Sequence, residues 1–189
     1  MKTRNIFKKT ATTRNFLALL TIGLLTVSCS NDDDPEAVDE EEVITTMTIE
    51  LAAAGNIVTL QTRDLDGDGP DAPVITVGDL AANTTYTGSI TLLNETESPV
   101  EDITLEVAEE DDEHQFFFTA SGAVTSVTYN DEDGDGNPIG LNFTLTTGDA
   151  GSGAIRVTLR HEPKKPNDGT LADAGGETDI AQSFTVVVE

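Results

Sequence analysis

Two short segments set three carboxylates on alternate residues of a glycine-punctuated turn: Asp64-Leu-Asp-Gly-Asp-Gly69 and Asp131-Glu-Asp-Gly-Asp-Gly136. That spacing lets Asp64, Asp66 and Asp68, and again Asp131, Asp133 and Asp135, turn their oxygens toward a common point. The glycines allow the positive φ angles that such a turn needs. Hard divalent cations suit it, calcium above all, which takes about six to eight oxygen ligands. A bound calcium is expected to be structural here, fixing the loops and lowering self-repulsion. The competing expectation is two plain acidic turns between strands.

Both segments resemble the Asp-rich half of an EF-hand or thrombospondin-type calcium loop. An EF-hand would place a bidentate glutamate where this chain has Ile75 and Asn142, and it would need flanking helices. Any site must therefore be completed elsewhere, for example by Asp71, Asp79 or Asp149. The two histidines are the other metal-capable residues: His114 within Asp111-Asp-Glu-His-Gln115 and His161 within Arg160-His-Glu-Pro163. Each stands beside carboxylates at the end of a predicted strand. A shared transition-metal site is one reading; two surface histidines in local ion pairs is the other.

Enzymatic chemistry finds little support. The chain has no Gly-x-Ser-x-Gly elbow and no phosphate-cradling loop. It has no Trp and only Tyr86 and Tyr129 as tyrosines, a poor supply of sugar-stacking platforms. Phe116-Phe-Phe118 reads as a strand whose rings fill a core, with one ring directed away from the others.

The lone cysteine, Cys29, directly follows an apolar run at residues 16–27, and five of the ten basic residues precede that run. A basic start, a short apolar core and a small residue before the cleavage point make an export signal. Leu25-Thr-Val-Ser-Cys29 resembles a bacterial lipobox, with Thr26 where leucine is usual. The resemblance implies lipidation of Cys29 after removal of residues 1–28. Ser30-Asn-Asp-Asp-Asp34 resembles the acidic tag of Bacteroidetes-type lipoproteins bound for the outer face of the outer membrane. Residues 29–43 are too charged to bury themselves and read as a solvated tether. Beyond residue 28 all 35 acids face only five basic residues, a surface that repels nucleic-acid phosphates.

These features need a scaffold, and residues 44–189 supply one. Alternating runs occur at 47–51, 57–62, 89–93, 103–107, 124–129, 141–146, 155–159 and 184–188, rich in Thr, Val, Ile and Phe. Period-two alternation between Gly, Pro, Asn and Asp clusters predicts an antiparallel, immunoglobulin-like all-β sandwich. A helix starting near Pro99 competes with a strand at 103–107, and the strand is favoured. The acidic loops recur 67 residues apart, and Thr91-Leu92 matches Thr158-Leu159 at the same offset. Beyond Glu95 and Glu162 the register slips by ten, to Asp102-Ile103 and Asp179-Ile180, so two duplicated halves are one reading of the chain.

Residues 113–118 and 159–180 together resemble a family of small Bacteroidetes outer-membrane lipoproteins, often labelled type 1 periplasmic-binding-fold proteins. The label implies two α/β lobes; the strand-only pattern in a chain this short implies a sandwich. The resemblance implies company with outer-membrane uptake systems. Two functional expectations follow. One is a surface binding or adhesion module stabilised by calcium. The other is a capture accessory of a TonB-dependent transporter, handling a metal through His114 and His161.

Overall fold

The computed structural model describes residues 42–67 and 69–189. Residues 1–41, with Cys29 and the export signal, and Asp68 of the first acidic loop lie outside the described residues.

Among the described residues, ten strands form two antiparallel sheets. The larger contains β1 (Thr46–Ala53), β2 (Asn56–Arg63), β3 (Val74–Val77), β4 (Thr85–Asn94), β5 (Glu101–Asp102), β7 (Val124–Tyr129) and β8 (Asn142–Thr147). Its order is β3-β2-β1-β4-β8-β7, with β5 paired to the end of β4. The smaller sheet is β10-β9-β6, built from β6 (His114–Gly122), β9 (Gly151–His161) and β10 (Glu177–Val188). The all-β antiparallel sandwich expected from alternation is what the chain forms.

Alternation directs the core. Met47, Ile49 and Leu51 on β1, Ile155, Val157 and Leu159 on β9, and Phe184, Val186 and Val188 on β10 are all buried, with the residues between them mostly facing out. Phe116 joins this core from β6 and Phe118 packs partly buried against it. Phe117, the ring directed away from the other two, is buried as well. Gly88 is required by packing. It pairs with Phe143 across β4 and β8, and a Cβ there would lie 2.4 Å from Phe143 Cζ.

The favoured strand at 103–107 is a helix, α1 (Ile103–Glu109). Asp102 caps it, its carboxylate accepting from Thr104 N at 3.1 Å, and Ile103 and Val107 are buried while Leu105 is exposed. Thr104 explains why a helix serves here. Its hydroxyl accepts from Leu92 N at 2.9 Å and donates to Leu92 O at 3.2 Å. One side chain thus satisfies a stretch of β4 that β8 no longer reaches. A second short helix, α2 (Leu171–Ala174), lies in the excursion between β9 and β10.

Both acidic loops close antiparallel hairpins of the larger sheet, β2–β3 and β7–β8. The other repeated pair falls on β4 for Thr91-Leu92 and on β9 for Thr158-Leu159, in different sheets. The two acidic loops thus share a place in hairpins of one sheet, while the second matched pair is divided between sheets.

Candidate metal centre

The loop at 131–136 is closed by hydrogen-bond donors. Asp131 accepts from Gly140 N through Oδ1 at 2.7 Å and from Asn142 N through Oδ2 at 2.7 Å. The Asn142 side-chain amide adds a third bond, at 3.3 Å. Asn142 stands where a calcium loop would carry a carboxylate ligand, so a donor occupies the place of an acceptor. Asp133 Oδ1 accepts from the backbone N–H of Asp135 at 3.0 Å and of Asn137 at 2.8 Å. Its Oδ2 takes the Asn137 side-chain amide at 3.0 Å and the Lys165 ammonium at 3.3 Å. Burial alone would raise the Asp133 pKa. The bonds from Asn137, then Lys165 and the Asp135 amide, outweigh burial and hold it at about 2. Asp135 is exposed.

The first loop is more open. Asp66 O accepts from Gly69 N at 3.0 Å and Asp66 Oδ2 from Asp71 N at 3.1 Å. Asp64, Asp66 and Asp71 line a hollow of about 220 Å³. Arg63 lines it too, but its guanidinium is turned to Glu95 in a two-pronged pair at 2.8 and 2.7 Å. The other completing residues lie elsewhere. Asp79 lines a separate hollow beside Leu80 and Tyr86, and Asp149 accepts from Asn83. Among the described residues, no three of these aspartates gather their oxygens as a metal-binding group.

The histidines do come together. His114 opens β6, His161 closes β9, and the two are direct partners in the antiparallel register. Their rings stack with centroids 4.8 Å apart and 6° between planes. Neither is a surface residue: His114 is fully buried and His161 is 8% exposed. A third group, Glu42, arrives from the segment leading into β1, and its Oε1 lies 2.8 Å from His114 Nε2. Donor atoms of Glu42, His114 and His161 all fall within 4.8 Å of one another. The acidic stretch read as tether therefore delivers its penultimate residue into the domain, with that side chain only 7% exposed. Nothing in the composition of 29–43 distinguishes Glu42 from its neighbours, and sequence reasoning missed it.

Hydrogen bonding sets the chemistry of this cluster. His114 Nδ1 lies 3.2 Å from Glu110 O. A carbonyl only accepts, so Nδ1 carries the hydrogen and Nε2 is the atom turned to Glu42. At 2.8 Å the contact between Nε2 and the carboxylate oxygen is a hydrogen bond that a shared proton makes, and a metal ion replacing that proton needs the two atoms to part to about 3.4 Å. Backbone carbonyls orient metal-binding histidines in this way. Among the described residues, Glu42 Oε2 is buried with no hydrogen-bond partner, an arrangement that costs free energy unless something takes the free lone pairs. The surroundings are electronegative. Burial, then the charges of Glu101, Glu42 and Glu110, hold Glu106 above the usual carboxylate range.

Fold and site together define an all-β antiparallel sandwich with a buried two-histidine, one-carboxylate cluster at the paired ends of two strands. Comparison of the chain with family models, with curated proteins and with solved structures gives no match.

Proposed function

We propose that this chain is a surface-displayed lipoprotein that captures a divalent transition metal, zinc by preference, as an accessory to a TonB-dependent outer-membrane transporter. The observation that carries the reading is the buried cluster of His114, His161 and Glu42, with one carboxylate oxygen lacking a partner among the described residues. Two imidazoles and a carboxylate favour zinc-class ions over calcium or magnesium, which prefer all-oxygen shells. The acidic surface concentrates cations at the domain. The stretches carrying the lipoprotein resemblance contain His114 and His161, which ties the uptake setting to the same residues. The calcium-stabilised adhesion reading is less favoured, because Lys165 and backbone amides already occupy the second loop.

The test is metal content and zinc titration of the full chain purified in detergent without chelator. One zinc per chain is expected, lost on His114→Ala or His161→Ala. Equal zinc binding by wild type and both variants would sink the reading.

A further inference from the structure

Zinc is bound by four ligands in closed sites, and the cluster offers three. A fourth candidate stands at its mouth. Glu113 ends the turn that begins at Glu110: its N–H donates to Glu110 O at 3.0 Å, and its carbonyl accepts from Glu162 N at 2.7 Å. Those bonds fix its backbone beside the end of β9 while its side chain stays 49% exposed. Because it sits in a turn, Glu113 escapes the strand alternation that would turn it away from its neighbour His114. Its Oε2 lies 3.9 Å from His161 Nε2.

Building on the metal-capture reading, we propose that Glu113 is the fourth ligand of a Glu42–Glu113–His114–His161 centre, and the one that opens and closes to admit and release the ion.

Distance, charge and exposure each support it. Donors around a tetrahedral zinc lie about 3.4 Å apart, given bonds of about 2.1 Å. The Glu113–His161 separation is 3.9 Å, and the exposed Glu113 side chain has to rotate inward to join the three donors that lie within 4.8 Å of one another. Charge then balances. With neutral imidazoles, Glu42 alone would leave a buried dication with one uncompensated positive charge, a costly state in a desolvated site. Glu113 brings the centre to neutrality. Exposure sets the division of labour. Glu42, His114 and His161 are nearly enclosed. Glu113 can leave into solvent with its backbone unmoved. A capture protein must also release its cargo, and a single exposed ligand supplies that route.

The experiment compares wild type with Glu113→Gln, as full chains in detergent, using cobalt(II) as a spectroscopic stand-in and zinc in competition with a coloured chelator. Wild type should bind one cobalt with the intense visible bands of four-coordination. Glu113→Gln should still bind one ion, at least about tenfold more weakly. Its bands should weaken as water enters, and it should release zinc to the chelator faster. The metal-free melting temperature should be unchanged, which separates ligation from a structural role. If Glu113→Gln matches wild type in spectrum, affinity and release, Glu113 is no ligand and the three-residue site stands without it. If wild type binds neither ion, the metal-capture reading falls, and this inference with it.

Discussion

Lys165 holds its ammonium 3.3 Å from Asp133 Oδ2, and both side chains are almost withdrawn from solvent, at 7% and 1% exposure. The charge beside Asp133 is therefore the chain's own, in the loop whose spacing led us to expect calcium. Removing one partner of a buried pair leaves the other charged and uncompensated, so Lys165→Ala should cost about 3 kcal/mol. Any calcium-specific rise in melting temperature, beyond that of sodium chloride at matched ionic strength, should come from the first loop. Asp66→Ala should abolish that rise and Asp133→Ala should leave it. Loss of the rise in Asp133→Ala would restore the second loop as a calcium site.

Acid should expose the same carboxylate. Asp133 and Glu95 are both held at about 2, Asp133 by the bonds that outweigh its burial and Glu95 chiefly by Arg63 and then Thr46. A carboxyl whose pKa is lowered in the folded state binds a proton more readily once unfolded. Its stabilisation is complete above the ordinary value of about 4 and is lost as pH falls from there through about 2. The melting temperature should thus drop across that interval. Asp133→Asn should flatten the drop, because the amide has no proton to gain. A parallel drop in the variant would assign the acid sensitivity to other groups.

The sandwich was legible because its strands alternate cleanly, as at Met47, Ile49 and Leu51. The helix at Ile103 was not. Ile103, Leu105 and Val107 satisfy a period of two, while Ile103 and Val107 alone satisfy the i, i+4 spacing of a helix, and five residues cannot separate the two patterns. The decision rests on tertiary bonds, the cap from Asp102 and the hold of Thr104 on Leu92. The histidines could be named from sequence, but their meeting depends on the β6–β9 register, which pairs residues far apart in the chain. Glu42 and Lys165 carried no local signal, because each acts on a residue more than thirty positions away.

The proposed membrane attachment is a separate matter, resting on Cys29 and the residues around it in the sequence. Cys29→Ala should convert the protein from detergent-requiring to soluble or unprocessed, as seen by fractionation. Undiminished membrane association of that variant would rule out a lipid anchor at Cys29. The metal-binding expectations would be untouched, since every ligand lies at residue 42 or beyond.

Packing at the centre of the larger sheet offers the last test. Gly88 and Phe143 are paired across β4 and β8, and the fully buried Phe143 ring lies over the glycine. A Cβ on residue 88 would sit 2.4 Å from Cζ, 2.5 Å from Cε2 and 2.8 Å from Cε1 of that ring. All three are well inside contact distance. The ring has little room to yield, because Phe118 packs on it at a centroid distance of 4.7 Å. Gly88→Ala should therefore destabilise the domain by about 1–3 kcal/mol, the usual range for overpacking a filled core. The β propensity gained on replacing glycine in a strand acts in the opposite direction but is smaller, about 1 kcal/mol at most. Phe143→Leu should be costly in the wild type, where it opens a cavity. It should cost less in the Gly88→Ala background, where the smaller side chain at 143 relieves the clash. Denaturant unfolding of both single variants and the double variant measures that coupling. Strict additivity of the two changes would show that residue 88 does not press on the ring, and the account of Gly88 would have to be abandoned.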